Sequence, residues 1–153
     1  MRYVDMRYKK NKSVKENDIE RVIYDFNNTE RTYNKDITIH ELFEKQVEKS
    51  QDKIAAIYKN QSITYKELNK KANQLARRLR KYGVKQNDIV GLMVHRSIDM
   101  LIGIMGILKS GGCYLPIDPS YPIARINYML NDSGTSIVLT NILHNEEIDF
   151  NGL

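Results

Sequence analysis

Apolar positions fall into two kinds of stretch along this chain: runs where they recur three and four residues apart, and short runs where they are nearly continuous. The first kind predicts helices, the second strands covered on both faces. Ile39, Leu42, Phe43 and Val47 share one helical face, and Leu68, Ala72, Leu75, Ala76, Leu79 and Tyr82 form a longer stripe. A third helix is predicted over Ile98–Lys109, apolar nearly all round and so expected deep in the core. Gly103 and Gly106 are expected there to admit a neighbouring backbone. A fourth helix runs from Pro122 through Leu130, with Gly134 ending it. Strands are predicted at Ile54–Tyr58, Ile63–Tyr65, Ile89–Val94 and Ser136–Thr140, with another entered after Gly112.

Punctuation agrees with the periodicity. Thr38 is followed three residues later by Glu41, and Thr64 by Glu67; each pair is a capping box, in which the two residues satisfy each other's free backbone N–H groups. Ser97 is placed to cap the third helix, with Asp99 at its positive end. Gly83 sits where a left-handed residue ends the second helix. Lys59–Ser62 (KNQS) reads as a polar turn. Upstream the rhythm weakens: a short helix is predicted over Asn17–Tyr24, where Ile19, Val22 and Ile23 share a face, and FNNTERTYNKD then reads as a linker ending near Asp36. Residues 1–35 are therefore taken as an extension and linker, and 36–153 as one globular region. Alternating strands and helices with short connections predict an α/β fold, with βαβ units and a mainly parallel sheet flanked by helices.

Charge adds one question. The chain carries a formal net charge of +5, and Tyr65–Tyr82 alone holds seven basic residues and one acid. Such a patch could meet nucleic acid or an acidic partner. It coincides with the polar side of the second helix, which accounts for it, and no nucleic-acid-binding motif accompanies it. No stretch is apolar for the roughly 18–20 residues a membrane span needs, and the N-terminal residues lack the apolar middle of a secretory signal. Cys113 is the only cysteine, which excludes an internal disulfide and fits a reducing cytoplasm. Neither nucleic acid nor membrane is an expected partner.

Candidate chemistry centres on Leu108–Pro122, LKSGGCYLPIDPSYP. A glycine pair beside a lysine suggests a phosphate loop, but such loops precede a helix. Here Gly111 and Gly112 follow a helix, whose C-terminal end is negative, and Lys109 suits the last helical turn. A helix cap followed by strand entry is the expected role. His40, His95 and His144 lie about 50 residues apart with no partner at metal-ligand spacing. Cys113 has no adjacent base and is expected to be a small buried side chain. The residues by themselves nominate no catalytic, cofactor-binding or metal residue.

Two segments identify a resemblance. ITYKEL (Ile63–Leu68) and LKSGGCYLPID (Leu108–Asp118) are similar to two signature motifs of the adenylation domain of nonribosomal peptide synthetases, the second usually written LKAGxAYLPID. DPSYPIARINYMLNDS, TIHELFEKQVEKSQDKIAAIY and DFNNTERTY extend the resemblance over about residues 17–141; the last resembles the linker after a condensation domain. The resemblance implies that residues 36–153 are the first part of the large N-terminal subdomain of an ATP-dependent, Mg²⁺-assisted ligase. Such a ligase joins an amino acid to AMP, then hands it to the phosphopantetheine thiol of a carrier domain. The family's phosphate loop and pocket-lining residues lie downstream of position 153, so no catalytic residue is carried over, and the chain alone is expected to be inactive. Its implied partners are the remainder of the adenylation domain and the carrier and condensation domains, with self-association expected of the isolated chain. A D-alanine–carrier ligase, an acyl-CoA synthetase or a non-catalytic truncated interaction module are the alternatives.

Overall fold

The computed structural model describes residues 16–141. The chain divides into two units, residues 1–36 and 37–153. In the first, helix α1 (Glu16–Glu20) continues as a π-helical turn over Arg21–Asp25. A single α-helix is what the spacing predicts; instead the Phe26 N–H reaches the Arg21 carbonyl at 3.0 Å, and the Asn27 side-chain amide donates to the Ile23 carbonyl at 2.7 Å. Ile19, Val22, Ile23 and Phe26 are exposed, so no packing partner enforces the tighter pitch.

The second unit runs α2 (Ile39–Lys49), β1 (Ile54–Tyr58), β2 (Gln61–Thr64), α3 (Tyr65–Lys81), β3 (Ile89–Met93), α4 (Ile98–Ser110), β4 (Cys113–Pro116), α5 (Ile123–Ser133) and β5 (Val138–Thr140). β4, β3 and β5 form a parallel sheet in that order, with Ile89 opposite Cys113 and Gly91 opposite Val138. Helices α4 and α5 are thus the crossovers of two βαβ units. The hairpin is the departure from a single parallel sheet: β1 and β2 pair antiparallel in a sheet of their own. Lys59, at φ +52°, makes a turn tight enough that β2 already starts at Gln61.

Strand β3 is buried on both faces, as its unbroken apolar run requires. Val90, Leu92 and Val94 join Leu79, Val84 and Ile107 in one cluster, while Met93 joins Ile117, Ile126 and Leu130 of the α5 side in another. Ile63, Leu68 and Ile98 form a third cluster beneath the hairpin. Helix α4 is less enclosed than its composition predicts: Gly103, Met105, Gly106 and Ile107 are buried, but Leu101 stays exposed. What its glycines admit are side chains, not a backbone. A Cβ on Gly106 would lie 2.6 Å from the Leu75 side chain, and one on Gly103 the same distance from Leu92.

Candidate functional site

The glycine pair closes helix α4, as its position predicts. Gly111 has φ +95°, and its N–H bonds back to the Leu108 carbonyl at 3.1 Å. The Gly112 N–H donates to Ile107 O at 3.2 Å, and that of Cys113 to Asp88 O at 2.8 Å. Every N–H of the turn is therefore spent on the chain's own carbonyls, leaving none for an anion. Gly112 is closely surrounded: a Cβ would sit 3.1 Å from the Asp88 carbonyl oxygen, so that its neighbours would have to give by a few tenths of an ångström. Lys109 is turned inward, its side chain only 4% exposed and ion-paired to Glu44 of α2, while the Arg80 guanidinium donates to the Lys109 carbonyl at 2.8 Å. Lysine and arginine here join three helices; they do not reach for a phosphate.

The other sequence candidates are dispersed. His40 is half-buried at the start of α2, its Nε2 3.3 Å from Thr38 Oγ1, and His95 is exposed after β3. His144 lies outside the described residues. Cys113 is exposed, against the expectation of burial. It is the first residue of an edge strand, and β4 has a neighbour on one flank only. No group of three or more His, Cys, Asp or Glu suited to a metal ion occurs among the described residues, and none of their helices is long and apolar enough to cross a membrane.

What tertiary structure assembles, and residue spacing does not reveal, is a cleft of about 820 Å³ at the carboxyl ends of β3 and β4. Parallel sheets present their ligand sites at that edge, where the loops diverge. Leu92, Val94, Met100 and Ile117 are its apolar part, Tyr58 and Tyr121 its aromatic part, and Lys59, His95, Arg96 and Asp118 its charged groups. Lys59 comes from the hairpin turn, His95 and Arg96 from the β3–α4 connection, and Asp118 from the turn after β4. The Asp118 carboxylate accepts from the Ser120 N–H at 2.9 Å and the Ser120 hydroxyl at 2.8 Å. Those two bonds hold its pKa below the ordinary 3.8, with the neighbouring His95 and Arg96 adding to the effect. The one legible signal in sequence was the D-P-S turn, whose side-chain-to-backbone bond is what Asp and Ser supply in such turns.

Both capping boxes are complete. The Thr38 N–H donates to Glu41 Oε2 at 2.8 Å, the Thr64 N–H to Glu67 Oε2 at 3.0 Å, and each glutamate N–H returns a bond to its threonine hydroxyl. Both glutamates are held below their ordinary 4.5 chiefly by those backbone donors.

Residues 43–151 match the family described as AMP-binding enzyme. The chain is 52% identical over 137 residues to gramicidin S synthase 2 of Brevibacillus brevis, a match covering 90% of this chain and 3% of that protein. It is 50% identical over 138 residues to bacitracin synthase 3 of Bacillus licheniformis, covering 86% of this chain and 2% of that protein. Among solved structures, the nonribosomal peptide synthetase FmoA3 in its AMPPNP-bound form superposes with a TM-score of 0.76 at 29% identity, covering 87% of this chain and 14% of that one. The chain thus spans a small fraction of the length of each of these relatives.

Proposed function

The chain belongs to the AMP-binding enzyme family, and we propose that it is the first part of an amino-acid-adenylating domain of a nonribosomal peptide synthetase. In that reading the complete domain lets an amino acid carboxylate attack the α-phosphorus of ATP, with Mg²⁺ assisting, so that pyrophosphate leaves and an aminoacyl-AMP remains. The phosphopantetheine thiol of a carrier then takes the aminoacyl group and AMP leaves. The observation that carries the reading is the family match over residues 43–151, which encloses both ITYKEL and LKSGGCYLPID. A cytoplasmic location belongs to the same reading, supported by the single cysteine.

The glycine turn after α4 does not fit a nucleotide's phosphates. The N–H groups of Gly111, Gly112 and Cys113 are consumed internally, and Lys109 is paired with Glu44. No chemical step is therefore assigned to them. The part this chain plays is to supply the two βαβ units and the cleft at their carboxyl edge. Alone it does not adenylate. Hydroxylamine trapping of the acyl-adenylate, or amino-acid-dependent pyrophosphate exchange, should stay at background for the 153-residue chain, and amino-acid-dependent turnover by it would overturn the reading.

Ile39 and Leu42 of α2 and Ile54 and Ile57 of β1 are large, apolar and exposed. They support a reading in which the remainder of the domain covers them. Left uncovered, they should make the isolated chain self-associate. Sedimentation velocity should show a weight-average mass that rises with concentration; a concentration-independent monomer would count against this.

A further inference from the structure

We propose that the groove between α2 and α3 docks an extended, acidic segment of a partner polypeptide, its main chain met by Asn69 and Asn73 and its carboxylates by Lys66, Lys70 and Arg77. Amphipathicity puts the basic side of α3 outside the core, but leaves open what those cations meet. Phe43 of α2 and Tyr65 of α3 pack ring against ring, 6.0 Å between centroids. Beside them the two helices border a groove of about 510 Å³, with buried Val47 in its wall. It shares no lining residue with the cleft at the carboxyl ends of β3 and β4. Glu44 and Glu48 line it from α2, and Lys66, Lys70 and Arg77 from α3. Glu44 is already ion-paired with Lys109. That leaves three cations against the one carboxylate of Glu48, and no carboxylate among the described residues pairs with any of the three. Arg77 spends only its Nε, on the Asn73 carbonyl at 3.3 Å. Charge complementarity therefore calls for an anion.

Asn69 selects the kind of anion. Its Oδ1, in the same groove, is buried with no hydrogen-bond partner among the described residues, and a buried acceptor calls for a donor. Phosphodiester and sulfonate oxygens only accept, so a polyanion of that kind leaves Asn69 unsatisfied. A peptide N–H donates to it, and a peptide carbonyl can take the side-chain amide of Asn73. Spacing agrees. Asn69 and Asn73 are about 6 Å apart along the helix axis, close to the roughly 6.6 Å between alternate residues of an extended chain. Lys66 to Arg77 spans about 16 Å, the length of about five extended residues. Alternate side chains of such a segment project to one side. Acids at its first, third and fifth positions would then face α3, while the residues between them face Glu48.

The test is fluorescence anisotropy of the dye-labelled peptide acetyl-Glu-Ser-Glu-Ser-Glu-amide, titrated at low salt with the 153-residue chain. Saturable binding is expected, and a parallel NMR titration of the isotope-labelled chain should centre its shifts on Asn69, Asn73 and Arg77. Lys70→Ala and Arg77→Ala should each weaken binding about tenfold, the loss of roughly one charge-assisted contact, while Arg77→Lys should retain most of it. N-methylation along the peptide backbone should also weaken binding about tenfold, and Asn69→Ala should shrink that difference. Circular dichroism reports whether the variants fold, and the peptide comparison on the unaltered chain is decisive if they do not. Absence of saturable binding, shifts centred outside the groove, an equal response to a vinylsulfonate oligomer of the same charge, or indifference to N-methylation would each overturn the assignment. Adenylation by the complete domain has no bearing on the outcome, because the groove and the proposed function rest on different residues.

Discussion

Helices α2 and α3 start with the same device and end in opposite circumstances. Each opens with a Thr-x-x-Glu capping box whose reciprocal bonds are all formed, and each carries an apolar stripe at helical spacing. On α3 the stripe is interior: Ala72, Ala76 and Leu79 are at most 1% exposed. On α2 only Val47 is buried, while Ile39 is 71% and Leu42 52% exposed. A cap draws on residues three apart and works wherever the helix lies. A stripe stabilises only if another surface comes to meet it. Helix α3 meets α4 and the sheet, whereas α2 relies on Val47, Phe43 and the ion pair of Glu44 with Lys109.

That contrast can be broken by substitution, and the greatest effect should come from the interior stripe. Leu79→Ala should cost about 3–4 kcal/mol in urea unfolding through the cavity it leaves, against no more than about 0.5 kcal/mol for Leu42→Ala. Equal costs would mean that α2 is as well packed as α3. Next comes the ionic contact on which α2 depends. Glu44→Ala strands the inward-turned Lys109 ammonium, and about 2 kcal/mol is expected once the half-exposure of Glu44 is discounted. Adding Lys109→Met should recover most of that loss, and a double variant no better than Glu44→Ala would remove the ion pair from the account.

The contact that buries α3 against α4 gives a smaller test. Gly106→Ala would force the Leu75 side chain, its Cβ included, to retreat, and should destabilise by about 1–2 kcal/mol. At Gly103 the obstacle is the swinging end of Leu92. The gain of about 1 kcal/mol in helix propensity should then leave Gly103→Ala near neutral. The caps give a further test, where Thr38→Ala and Thr64→Ala should each cost about 1 kcal/mol despite the unequal burial of their helices. Because the folded-state pKa values of Glu41 and Glu67 lie below 4.5, their contribution is present above that value and is lost as pH falls through the depressed ones. An acid titration in which the Thr64→Ala variant keeps the full low-pH slope of the parent would contradict this.

Much of the fold was legible in the chain because it is written in short-range terms. Thr38, Thr64, Ser97, Gly83, Gly111 and Gly134 mark helix ends through bonds spanning a few residues, and each holds that place in the structure. Pro122 proved to be the cap of α5 and not its first residue, and β5 has three residues where five were predicted. The β5 boundary depends on pairing with β3. The glycine pair's role was legible too, since the polarity of a helix end needs no tertiary information. The cleft was not, because Lys59, Arg96 and Asp118 come from three separate connections that spacing cannot bring together.

By itself, then, the sequence determined where α2, α3 and α4 begin, that β3 is covered on both faces, and that Leu108–Asp118 caps a helix before entering a strand. Tertiary structure decided which apolar stripe is interior, that the hairpin forms a sheet apart from the parallel one, that Cys113 faces solvent, and that Lys109 turns inward to Glu44. The division has one physical origin. Hydrogen bonds at caps and turns close within a few residues and are fixed by local order, while burial, ion pairing between helices and the lining of a cleft depend on which distant surfaces arrive.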